Sequence, residues 1–140
     1  MSQRSRHHDP KIEALAKIGI FKHCTRDELE LLASASTSVS LEADTVLCRQ
    51  GSLGREFFVI AEGEVAVEAD GNQAAVLGPG SFFGEHSLLE HSPRNATVTT
   101  ITPVSAFVFG IGEFSTMLHD APHATADMLI EASHRASGKN

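Results

Sequence analysis

Between residues 39 and 109 the apolar residues recur with a period close to two, in runs too short for helices. The β-rich runs cover 39–41, 46–49, 56–60, 64–69, 74–77, 96–101 and 104–109. Turn signals separate them: Gln50-Gly51, Glu62-Gly63, Asp70-Gly71-Asn72, Gly78-Pro79-Gly80 and Thr102-Pro103. Asp70-Gly71 between two alternating runs is a strong hairpin signal. Parallel strands need crossovers of a dozen or more residues, so these short connections favour antiparallel pairing. The expected fold is mainly β, an antiparallel jelly roll or barrel.

Helical patterning flanks this region. Pro10 begins a segment with apolar residues at Ile12, Leu15, Ala16 and Ile18. Thr25-Arg26-Asp27-Glu28 reads as a capping box, and its helix carries Leu29, Leu31 and Leu32 before fading at 34–38. After the strands, 112–118 reads as a short helix; Asp120 is expected to cap a second, with Pro122 in its first turn. Residues 1–9 read as a disordered tail, and 10–140 as a single domain: helices at about 10–36, β-roll at about 38–110, hinge and lid helices at about 112–136.

The net charge is −7 over 140 residues, and no basic face suited to DNA or RNA is visible. No apolar run approaches the ~18 residues of a membrane span. MSQRSRHHDP lacks the apolar stretch of a secretory signal, so a cytoplasmic location is expected. Cys24 and Cys48 fit no CxxC pattern, and reduced thiols are expected.

One stretch interrupts the β pattern. In GPGSFFGEHSLLEHSPRNATV, residues 78–98, the segment GEHSLLEH reads as a single helical turn. Arg94, nine residues after Glu85, is the only Lys or Arg between Arg55 and Arg135, a span holding eleven acids. An acidic chain binds a small anion by concentrating positive potential at one point. A helix N-terminus offers free amides, Gly84 permits close backbone approach, and a guanidinium fork suits phosphate. Glu85 would oppose a bare phosphate, but it suits a hydroxyl attached to one, as on a ribose. A phosphate beside a ribose hydroxyl makes a nucleotide. The alternative is a buried Glu–Arg pair that only stabilises a turn, with the short helix plugging a barrel.

The stretch FFGEHSLLEHSPRNATV resembles the phosphate-binding cassette of cyclic nucleotide-binding domains, in Phe83, Gly84, Glu85, Leu88, Leu89, Pro93, Arg94, Ala96 and Thr97. LCRQG, FFVIAEGEVAV and LGPGSFFGE resemble the glycine-punctuated strands of that family, and the likeness spans about 20–118. The resemblance implies that Glu85 and the Gly84 backbone bind the ribose 2′-hydroxyl, and that Arg94 with the amides of Ser87 and Asn95 holds the cyclic phosphate. It places Val67 and Leu77 against base and sugar. Two positions depart from the pattern. His86 stands where an apolar residue is usual; a solvated side chain is expected, with coupling to the helices as the other reading. Asn95 stands where Ala, Ser or Thr is usual, which leaves cAMP against cGMP open, with cAMP the expected ligand.

Rival chemistries fit poorly. Gly-x-Gly-x-x-x-Gly in GPGSFFG lacks the parallel strand and long helix of a dinucleotide site. The eight histidines are scattered, without the His-x-His cluster of a metal-binding cupin, so no metal is expected. Ser87, His86 and Glu85 are adjacent on a helix, where neighbouring side chains diverge by about 100°, so neither a catalytic residue nor a cofactor is expected. The expected function is a non-catalytic sensor whose ligand shifts the terminal helices, with Met128 a candidate coupling residue. Only 30 residues follow Gly110, which two helices would consume, so a detached module or free-standing sensor is expected. Its candidate partners, besides the nucleotide, are a downstream effector protein or a second copy. The competing reading is a degenerate module acting only as an interaction or dimerisation scaffold.

Overall fold

Eight antiparallel strands pair into two four-stranded sheets, in the orders β1-β8-β3-β6 and β2-β7-β4-β5. The strands are β1 (Thr37–Leu41), β2 (Val46–Cys48), β3 (Glu56–Glu62), β4 (Val65–Ala69), β5 (Asn72–Leu77), β6 (Phe82–Phe83), β7 (Thr97–Thr100) and β8 (Val104–Gly110). The helices are α1 (Pro10–Ala16), α2 (Arg26–Ala35), α3 (Glu85–Glu90), α4 (Ile111–Asp120) and α5 (Pro122–Gly138). These positions come from a computed structural model that describes residues 9–138. The expected tail at 1–9 lies outside the described residues except for Asp9. That residue is the N-cap of α1, its carboxylate accepting from the amides of Lys11 and Ile12. The chain divides into two compact units, one made of the residues up to 35 and from 115 onward, the other of 36–114.

The 36–114 unit contains all the strands. β3 lies inside its sheet, and its apolar run Phe57-Phe58-Val59-Ile60 is buried on both faces. Such continuous apolar strands, rather than alternating ones, mark two-sided burial. Phe58 and Ile60 face a core completed by Val65, Phe83, Val98, Val104, Ala106 and Val108. On the opposite face Phe57 contacts Phe82 and Phe109, each with ring centroids at 5.7 Å, and Phe114 at 4.9 Å. The β4–β5 hairpin turns at Asp70-Gly71, both left-handed with φ of 55° and 82°, as an Asp-Gly turn of this length requires. β6 has only two residues, pairing Phe83 with Phe58 and Phe82 with Val59, and too short a span to leave a periodic trace in sequence.

In the other unit, Thr25 and Glu28 form the expected capping box. Glu28 N donates to Thr25 Oγ1 at 3.2 Å, and Thr25 N donates to Glu28 Oε1 at 2.8 Å. The expected cap at Asp120 is corrected. Asp120 is the last residue of α4, and α5 begins at Pro122. The turn between the helices is tight: Ala121 N still bonds Met117 O at 2.9 Å, and Thr125 N bonds Ala121 O at 3.0 Å. Ala121 therefore occupies the capping position, and Thr125 Oγ1 donates back to Met117 O at 3.0 Å. Glu28 also receives both the amide and the imidazole Nδ1 of His123, at 3.0 and 2.9 Å. One buried carboxylate thus serves the first turns of two helices.

Candidate functional site

The residues singled out between β6 and β7 converge within the 36–114 unit. Gly84 is left-handed, with φ 99°, and α3 starts immediately after it. A Cβ there would lie 2.5 Å from Glu56 O and 2.8 Å from Arg94 Nη1. The glycine is therefore needed to make room for the protein's own arginine and strand, and not only for a ligand. Arg94 lies in the loop before β7, beside the Leu53–Pro93 bridge. It is 6% exposed, Glu85 is 7% exposed, and Ser87 is also buried.

The Arg94 side chain is oriented by two backbone carbonyls. Nη2 donates to Glu56 O at 2.7 Å and Nη1 to Gly84 O at 3.2 Å. These bonds use two of the five guanidinium N–H donors and leave the charge uncompensated by the carbonyls. Its main chain is tied as well: Arg94 N donates to Ser52 O at 2.7 Å, and Gly51 N donates to Arg94 O at 2.8 Å. Gly54 closes the back of the site, where a Cβ would fall 2.5 Å from Ser87 Cβ and 3.2 Å from the guanidinium carbon of Arg94. Sequence reasoning passed over Gly54, Ser52 and the Glu56 carbonyl. The glycine pair in GSLGRE was the available signal, since close backbone approach is a usual reason for glycine outside turns.

Val67 lies on β4 and Leu77 on β5, both partly buried against the core that includes Phe83. Leu77 pairs with Val65, and Val67 with Val98 of β7. Asn95 is exposed in the bend after Arg94. His86 is exposed on α3, as a solvated side chain would be. Met128 is fully buried in α5, in the other unit. Cys48 approaches the same loop, its Sγ 3.7 Å from Ala96 O, and burial pushes its thiol pKa up despite the nearby Arg94 charge.

Among the described residues no group of three or more His, Cys, Asp and Glu side chains could hold a metal ion. His119 Nδ1 lies 2.8 Å from Ser115 O, and His123 is engaged with Glu28. Among the described residues no helix is long and apolar enough to cross a membrane.

Residues 38–121 match the family described as "Cyclic nucleotide-binding domain". Over 126 residues the chain is 30% identical to a cyclic nucleotide-gated potassium channel of Rhizobium etli, covering 90% of this chain and 35% of the channel. The chain therefore spans about a third of that relative's length. Two solved structures share the fold. The regulatory domain of Toxoplasma gondii protein kinase A with cAMP has a TM-score of 0.79 at 19% identity, covering 95% of this chain and 52% of that one. The regulatory subunit of a cAMP-independent protein kinase A from Trypanosoma brucei has a TM-score of 0.81 at 24% identity, covering 96% and 48%. With the matched segment spanning all but the first residue of the eight-strand roll and including Glu85 and Arg94, this chain belongs to the cyclic nucleotide-binding domain family.

Proposed function

We propose that this chain is a non-catalytic sensor for a cyclic nucleotide, with cAMP preferred over cGMP. The observation that carries this reading is the buried Arg94 guanidinium, held by two backbone carbonyls beside a glycine with no room for a Cβ. Burying a charge is costly unless something compensates it, and two neutral carbonyls orient the Arg94 guanidinium without cancelling its charge. A cyclic phosphate supplies an anion for it. In this reading the remaining Arg94 donors and the amides of Ser87 and Asn95 hold the phosphate, while Glu85 and the Gly84 backbone bind the ribose 2′-hydroxyl. Val67 and Leu77 pack against sugar and base. His86 and Met128 contact no ligand and are candidate coupling positions only.

Occupancy is read out through the terminal helices, by a downstream effector or a second copy of the chain. Such coupling requires ligand to bind two conformations with different affinity. The choice of cAMP as first ligand follows the Toxoplasma neighbour, which was solved with cAMP. Calorimetric titration with cAMP and then cGMP tests the assignment, and saturable one-site binding with cAMP tighter is expected. No heat with either nucleotide would leave the scaffold reading in its place. Hydrogen exchange with and without ligand tests the coupling; equal protection over 112–136 would refute it.

A further inference from the structure

The Arg94 backbone is sandwiched by the loop at residues 49–54, through its own amide on Ser52 O and its carbonyl on Gly51 N. What fixes that loop decides where the guanidinium starts from. Inside it, Ser52 N and Oγ both donate to Arg49 O, at 3.1 and 2.6 Å. Outward, the contact is made by Gln50. Its amide N donates to Thr97 Oγ1 at 2.9 Å, on the strand that follows Arg94. Its side chain makes a two-point pairing with Asp70: Nε2 donates to Asp70 Oδ1 at 2.9 Å, and Oε1 accepts from Asp70 N at 2.9 Å. Asp70 is the first of the two left-handed residues at the tip of the β4–β5 hairpin. Its side chain thereby leaves the local turn bonding common for aspartate and reaches across 20 residues of sequence.

We propose that Gln50 and Asp70 are positioning residues for Arg94: their paired side-chain bonds anchor the loop at 49–54 to the β4–β5 hairpin and so set the guanidinium for its anion. The inference rests on the nucleotide-binding reading above. Neither residue is assigned a ligand contact, and both are exposed. Their effect on binding passes through the two Asp70–Gln50 bonds into the loop, and from the adjacent Gly51 N and Ser52 O to the Arg94 main chain. The hairpin that receives the loop carries Val67 and Leu77, so the same tie holds the two halves of the proposed pocket in register.

The pairing can be broken and rebuilt by exchanging its polarity. Q50E removes the Nε2 donor and sets a carboxylate against the Asp70 carboxylate. Q50E/D70N restores a complementary pair, because the asparagine amide donates to the introduced carboxylate while the backbone amide at 70 still donates to its other oxygen. D70N alone keeps an acceptor oxygen and tolerates the left-handed conformation, so it should stay close to wild type. Each protein is titrated with cAMP, and exchange of the Arg94 amide is followed by NMR without ligand. Q50E should weaken cAMP binding about 3–30-fold and speed Arg94 amide exchange, and Q50E/D70N should recover most of both. Wild-type behaviour of Q50E in Arg94 exchange, or a double variant no better than Q50E, would overturn the proposal. A wild-type chain that binds neither nucleotide would refute the ligand assignment. The exchange comparison would still decide whether this pair positions Arg94.

Discussion

Arg94 Nη1 donates to the carbonyl oxygen of Gly84 at 3.2 Å, across ten positions of sequence, and the same Nη1 lies 2.8 Å from where a Gly84 Cβ would sit. The two residues are thus a matched pair. Gly84 gives Arg94 both an acceptor and the space to reach it.

Gly84→Ala should fail on two counts. The left-handed φ of 99° strains any residue with a Cβ, at a cost of about 1–3 kcal/mol, and the methyl would collide with Glu56 O. Thermal unfolding followed by circular dichroism should show a lower Tm, and titration should show weakened cAMP binding. Wild-type values in both would mean that the glycine is dispensable.

Glu85→Ala should weaken cAMP binding by about 1.5–3 kcal/mol, the range for a hydrogen bond to a charged group. The loss should shrink for 2′-deoxy-cAMP, which lacks the hydroxyl assigned to this carboxylate. An equal loss with both nucleotides would place Glu85 outside the ribose contact.

Glu28 offers a pH test in the helical unit. Burial alone would raise its pKa, but the Thr25 amide and the His123 amide and imidazole together hold it below 4.5. A depressed folded-state pKa gives stability that is present above the unfolded value and lost as pH falls through the folded one. The Tm advantage of wild type over Glu28→Gln should therefore be full near neutrality and shrink below about pH 4.5. A gap that stays constant to pH 3 would contradict the assignment.

Cys24 should be a poor nucleophile. Burial, with Glu28 and Asp127 nearby, pushes its thiol up to about 11. Its thiolate fraction at pH 8 is then on the order of 10⁻³, and alkylation by iodoacetamide should lag far behind that of a peptide cysteine. Cys48, also raised by burial, should be slow too. Rapid labelling of Cys24 at pH 8 would show that its surroundings are more open.

Features carried by neighbouring residues were legible in the sequence. The capping box at Thr25–Glu28, the Asp70-Gly71 turn and the helical interruption after Gly84 each follow from local chemistry within four residues. The two-sheet roll followed from short runs and shorter connections. What stayed hidden depends on contacts far apart in the chain. The Glu56 carbonyl meets Arg94 across 38 positions, and His123 meets Glu28 across 95. No periodicity encodes such pairs. The sequence pointed to close approach at Gly84 but not to Arg94 and the Glu56 carbonyl as the groups that crowd it. Asp120 had the chemistry of a cap, but α4 runs on through it and the cap falls to Ala121.

The most direct test of the account compares cAMP binding by wild type and Arg94→Ala in one calorimetric series, with cGMP as the second ligand. Wild type should bind cAMP at one saturable site, and the variant should lose about 2–5 kcal/mol as the phosphate forfeits its buried cation. Equal affinity in the two proteins would contradict the account, because the anion would then be held somewhere other than at Arg94.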